Sequence, residues 1–154
     1  MDPNTTETEW GSKAWQLLSE VRSQSPLIQC ITNFVSMDIV ANTLLSAGAS
    51  PAMIHAAEEI PNFTPRAAAL VVNIGTLSPS WLPAMKAAAH LCMTLATPWV
   101  LDPVAASASA YRLHACRELL KLRPTVVRGN ASEIIALSHA SAAAAQPHTN
   151  VAYK

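Results

Sequence analysis

Three short apolar stretches each run straight into polar residues suited to phosphate and metal chemistry: Val71-Val72-Asn73-Ile74-Gly75-Thr76, Val100-Leu101-Asp102-Pro103 and Val126-Val127-Arg128-Gly129-Asn130. If the stretches are strands of an open α/β sheet, the polar residues past their carboxyl ends converge on one edge, where such sheets bind ligands. A carboxylate at Asp102 suits a hard cation, and the Arg128 guanidinium is a planar donor for phosphate. The segment Asn130-Ala131-Ser132-Glu133 admits two readings. In one, Asn130 caps a helix and Glu133 reaches back to the Asn130 amide, a capping box. In the other, the helix start receives a phosphate, with Arg128 as donor and Glu133 orienting Mg²⁺ through water. Asp102 is likewise either an Asp-Pro turn or the carboxylate of a Mg-nucleotide site.

Asn33 and Met53 follow two further apolar stretches. Met53 reads as core filler, although its polarizable thioether also suits a flat sulfur heterocycle. His55 has no carboxylate at readable spacing and reads as a turn residue. Ser78, Ser107 and Ser109 lack a nucleophile-elbow context and read as caps and turn residues. The four glycines, Gly11, Gly48, Gly75 and Gly129, form no Gly-x-Gly, so neither a Walker A loop nor the dinucleotide fingerprint is present.

These residues need elements to hold them. Trp15, Leu17, Leu18 and Val21 give one apolar face to a helix beginning near Ser12 and ended by Pro26. Residues 27–31 read as a strand and 38–47 as a helix stopped by Gly48. A short strand over 50–54 follows, then loop or weak helix over 58–65. The near-continuous apolar run 69–74 predicts a strand buried on both faces. Ser78 is placed to cap and Pro79 to begin a helix running to residue 96. Beyond it come a strand (99–101), a helix (111–122) with Arg112, Arg117, Glu118 and Lys121 outward, a strand (125–127) and a helix (131–139). Strands alternating with helices predict a parallel α/β sheet. The chain divides into an amino-terminal extension and helix (1–25), an α/β domain (26–139) and an unpatterned tail (140–154).

At 154 residues and 51% hydrophobic, the chain supports one domain with a real core. Ten basic residues balance ten acidic ones without clustering, which supplies no field for nucleic acid or an anionic membrane. No apolar run approaches the ~20 residues of a membrane span. The first nine residues hold no Lys or Arg and lead into no signal core, so cytoplasmic residence is expected. Cys30, Cys92 and Cys116 are widely spaced and read as buried thiols.

The runs at 26–35 and 41–53, with Asn73-Ile74-Gly75-Thr76-Leu77, Leu101-Asp102-Pro103-Val104 and Arg128-Gly129-Asn130-Ala131-Ser132-Glu133, resemble the amino-terminal half of the hydroxyethylthiazole kinases, from about Trp15 to His139. That resemblance implies a ribokinase-like parallel sheet flanked by helices. It also implies Mg²⁺-dependent transfer of the ATP γ-phosphate to 4-methyl-5-(2-hydroxyethyl)thiazole in thiamine biosynthesis and salvage. By resemblance, Asn33 and Met53 contact the thiazole, Arg128 and Asn130 serve ATP, Asp102 and Glu133 serve Mg²⁺ and phosphate, and the assembly is a homotrimer. Where the family carries glycines after Asp-Pro-Val, this chain has residues 105–109 as Ala-Ala-Ser-Ala-Ser, which hinders close backbone approach. The family's glycine-rich anion hole, with the catalytic-base position, falls after His139 and finds no match in the tail, so the catalytic residue is unassigned. A truncated kinase of this kind is expected to be catalytically silent and prone to self-association. The alternative is a non-catalytic α/β protein that binds ligand weakly or associates with full-length kinase subunits.

Overall fold

The computed structural model describes residues 7–145. Helix α1 (Glu7–Gln24) leads into strand β1 (Leu27–Ile31), helix α2 (Met37–Ala47), strand β2 (Ser50–Ala52) and the one-turn helix α3 (Ile60–Phe63). Strand β3 (Ala69–Asn73), helix α4 (Trp81–Leu95), strand β4 (Trp99–Asp102), helix α5 (Ala110–Leu120), strand β5 (Val126–Val127) and helix α6 (Ala131–Ala145) follow. Among the described residues the sheet has five strands, all parallel, in the order β2-β1-β3-β4-β5. The chain steps outward from β1 to β2, then crosses back to β3 on the other side of β1. Its winding reverses between β1 and β3, the position where open α/β sheets bind ligands.

The core follows from the apolar runs. Ile31, Leu70, Val72 and Leu101 on the strands and Ile74 just past β3 pack with Met85, Ala88, Ala89 and Cys92 of α4 and with Cys116 and Leu119 of α5, all fully buried. Trp99 is almost fully buried and donates its indole N–H to the carbonyl of Leu122, just past α5, at 3.3 Å. One buried polar pair ties the sheet to its flank. Gln29 in β1 accepts from the Thr64 hydroxyl at 2.8 Å and donates to the Ile54 carbonyl at 3.4 Å. A buried amide so satisfied avoids the penalty of about 1–3 kcal/mol for an orphaned polar group.

Helix α2 ends as its glycine predicts. Gly48 adopts φ 96°, and the amides of Gly48 and Ala49 bond the carbonyls of Leu45 and Leu44 in a Schellman arrangement. A Cβ at Gly48 would also lie 2.7 Å from Cγ of Arg22, so α1 is seated on this turn.

Several boundaries differ from the sequence reading. Helix α1 begins at Glu7, and its expected apolar face is divided: Trp15 and Leu17 are each 63% exposed, while Leu18 and Val21 are half-buried. Only a narrow stripe of this helix meets the body. Strand β2 stops at Ala52, and α4 begins at Trp81, with Ser78 still accepting the Trp81 amide at 3.3 Å. Helix α6 runs through the boundary expected at 139/140 because alanine is the best helix former even without an apolar stripe. The remainder of the expected tail, 146–154, and the first six residues lie outside the described residues. No described helix is long and apolar enough to cross a membrane.

Candidate functional site

The registers that align the strands also align their carboxyl ends. Asn73 pairs with Asp102, Ile31 with Val72, and Leu101 with Val127, so Asn33, Asn73, Asp102 and Arg128 stand in a row across four strand ends. Met53 lies just past β2 at one flank, half-buried, and Glu133 opens α6 at the other.

Hydrogen bonds join the row. The Asn33 side-chain NH₂ donates to Asn73 Oδ1 at 2.8 Å, and the Asn73 NH₂ donates to Asp102 Oδ2 at 2.9 Å. Arg128 Nη1 donates to the same Asp102 oxygen at 2.7 Å. The amide orientations follow from the backbone: Asn33 Oδ1 accepts from the amides of Val35 and Ser36, and Asn73 Oδ1 accepts from Gly75. Each NH₂ must then point along the row. Asn33, Asn73 and Asp102 are buried, whereas the Arg128 side chain is 77% exposed and reaches the carboxylate from the solvent side. A Cβ at position 75 would lie 2.9 Å from three atoms of the Asn33 side chain, so glycine leaves room for Asn33 where it stands.

Asp102 and Arg128 line a cavity of about 360 Å³ with Val104, Gly129, Asn130 and Glu133. At its mouth the capping box is formed. Asn130 Oδ1 accepts the Glu133 amide at 3.0 Å, and Glu133 Oε2 accepts the Asn130 amide at 2.9 Å. The other Glu133 oxygen, Oε1, accepts the Ala105 amide at 2.9 Å. This second tie is absent from a simple cap; it holds the turn after β4 against the start of α6. Ala105 takes a left-handed conformation, φ 53° and ψ 40°, at the position where the sequence reading marked a replaced glycine.

Arg112 corrects the sequence reading, which placed it outward. It is half-buried in the first turn of α5, and its guanidinium donates to the carbonyls of Ile74 (2.7 Å), Val104 (3.1 Å) and Gly75 (2.6 Å). One side chain thereby braces the turns after β3 and β4. A signal was available: a cation in a helix's first turn opposes the macrodipole and requires a specific partner. Ser109 caps the same helix by accepting the Arg112 amide at 3.2 Å.

His55 packs on Trp81, ring centroids 4.4 Å apart, and Trp81 on Phe34 at 4.6 Å. This cluster stands beside Asn33 but outside the cavity that holds Asp102 and Arg128. Burial raises the thiols of Cys30, Cys92 and Cys116 from 9.0 to about 11, which makes them inert as nucleophiles. Among the described residues no group of three or more His, Cys, Asp or Glu gathers as a metal site.

Residues 18–146 match the model of the hydroxyethylthiazole kinase family. A relative from Arabidopsis thaliana, hydroxyethylthiazole kinase, is 64% identical over 141 residues, covering 92% of this chain and 51% of the relative. One of the same name from Zea mays is 60% identical, covering 94% of this chain and 52% of its own length. The solved structure of the hydroxyethylthiazole kinase protein from Pyrococcus horikoshii superposes with a TM-score of 0.81 at 42% identity, over 84% of this chain and 51% of that one. The chain spans about half the length of the curated relatives it matches.

Proposed function

Because the chain belongs to the hydroxyethylthiazole kinase family, we propose that it binds 4-methyl-5-(2-hydroxyethyl)thiazole and Mg-ATP in the phosphorylation of the thiazole alcohol for thiamine biosynthesis. The observation that carries this reading is the row Asn33, Asn73, Asp102 and Arg128, hydrogen-bonded across the carboxyl edge. Phosphoryl transfer is catalysed mainly by positioning and charge neutralisation, and a fixed row of donors ending in a carboxylate and an arginine supplies both.

On this reading Asn33 and Met53 face the thiazole. Arg128, with its exposed head, and Asn130 serve the ATP phosphates. Asp102 and Glu133 are hard oxygen donors on one cavity and fit Mg²⁺. Among the described residues Asp102 Oδ1 accepts no hydrogen bond and is left for a cation or its water, while both Glu133 oxygens hold backbone amides, which favours contact through water. Asp102 and Glu133 would hold Mg²⁺, and the chemistry it would supply there is neutralisation of phosphate charge. The resemblance further implies a trimeric assembly.

The test is calorimetric binding of the thiazole alcohol and of Mg-ATP to the 154-residue chain, with thiazole phosphate sought by mass spectrometry. Saturable binding of both with thiazole phosphate formed, and Mg-ATP weakened about tenfold or more by Asp102→Asn, supports the proposal. Binding of neither overturns it. A second reading, compatible with coverage of about half of each relative, is a ligand-binding α/β protein that associates with full-length kinase subunits. Binding without product is its signature.

A further inference from the structure

We infer that Asn73 is a positioning residue that sets two ends of the site at once, the Asn33 amide on one side and the Asp102 carboxylate on the other. Asn73 is buried at the end of the central strand β3, with β1 and β4 as its neighbours. Both ends of its amide are used. Its oxygen accepts from Asn33 and from the Gly75 amide, each at 2.8 Å, and its NH₂ donates to Asp102 at 2.9 Å. Two backbone amides fix the flip of Asn33, and one fixes the flip of Asn73, so the donors run in one direction and end on Asp102. With Oδ2 engaged by Asn73 and Arg128, the carboxylate plane is held and Oδ1 is presented.

No other residue type performs both tasks in this geometry. Aspartate keeps the acceptor for Asn33 and Gly75 but loses the donor to Asp102, and it adds a like charge beside that carboxylate. Leucine fills similar space and loses both ends. A residue needed only for stability would weaken the two ends together, whereas a positioning residue gives an end-specific split.

The inference rests on the proposed thiazole and Mg-ATP binding, so its test includes a readout independent of either ligand. The full 154-residue chain, ¹⁵N-labelled, is prepared as wild type, Asn73→Asp and Asn73→Leu. In Asn73→Asp the Asn33 side-chain NH₂ is expected to keep its wild-type resonance and slow exchange. Thiazole affinity should stay within about threefold, while Mg-ATP affinity falls about tenfold or more, as loss of a hydrogen bond to a charged group implies. In Asn73→Leu the Asn33 signal should shift and exchange, with both affinities lowered. Should Asn73→Leu not fold, Gly75→Ala gives the mirror case: it displaces Asn33, so thiazole binding falls and Mg-ATP binding holds. Equal losses at both ends in Asn73→Asp, or an unmoved Asn33 signal in Asn73→Leu (or in Gly75→Ala where Asn73→Leu does not fold), would overturn the inference. If the wild-type chain binds neither ligand, the functional proposal fails, and the Asn33 signal alone still decides whether Asn73 orients that amide.

Discussion

Replacing Gly75 with alanine tests the site's construction most directly, because the same change at Gly11 should have the opposite sign. An added Cβ at position 75 would lie 2.9 Å from Cβ, Cγ and Nδ2 of Asn33. Restoring ordinary contact requires a displacement of about 0.5–1 Å. That displacement breaks the 2.8 Å bond from Asn33 to Asn73, since hydrogen bonds weaken steeply beyond their usual range. Asn33 is only 8% exposed, so the freed amide groups stay out of water at a cost of about 1–3 kcal/mol. Alanine's smaller loss of chain entropy on folding returns about 0.4–1 kcal/mol. At mid-range values the net destabilisation is about 1.3 kcal/mol, a fall in melting temperature of about 3–5 °C for a chain of this size. Gly11 sits inside α1 with nothing within 4 Å, and Gly11→Ala should stabilise by up to about 1 kcal/mol at most. Differential scanning calorimetry of the two variants gives the comparison. A Gly75→Ala chain that melts with or above the wild type would refute the steric argument.

Arg112→Lys keeps the charge but loses the planar fork that bonds three carbonyls, and should destabilise by about 1–3 kcal/mol in urea unfolding; an unchanged midpoint would remove the brace. Ala105→Gly relieves a left-handed alanine and should raise stability by up to about 1 kcal/mol, so a lower melting temperature would contradict the strain. The three buried thiols, raised from 9.0 to about 11, stay protonated in the folded chain where the unfolded chain ionises. The folded state therefore binds more protons between about pH 9 and 11, and stability present below pH 9 is lost as pH rises through that window. Urea midpoints at pH 8 and 10.5, beside thiol labelling that proceeds only in denaturant, check the sign; a midpoint that rises with pH is the contrary result.

The parallel sheet was legible because its strands are apolar runs bounded by turn chemistry, and Asp102 and Arg128 were legible as polar residues placed just past such runs. What joins them was not. Sequence spacing gives no means of seeing that Asn33 and Asn73, 40 residues apart, meet across the point where winding reverses. Arg112 was misassigned because helical periodicity describes only its own helix, whereas its partners are carbonyls of two turns contributed by other elements. Both readings of Glu133 drew on the same local pattern. The structure forms the cap and adds the Ala105 tie, which depends on where the turn after β4 comes to rest. The extension of α6 to Ala145 escaped because an alanine run has propensity but no face.

The rims of the sheet bear on how the chain behaves at high concentration. Strand β2 has three residues, one of them Pro51, which has no N–H to offer, and β5 has two. Growth of a cross-β ladder requires a run of consecutive free backbone groups on a flat edge, and among the described residues both rim strands are short. Clumping of the folded chain would therefore proceed through apolar side chains left in water on helices, such as Ile39 and Leu45 of α2 or Ile134 and Ile135 of α6. The deposits should be amorphous and reversible on dilution, and they should fail to template one another.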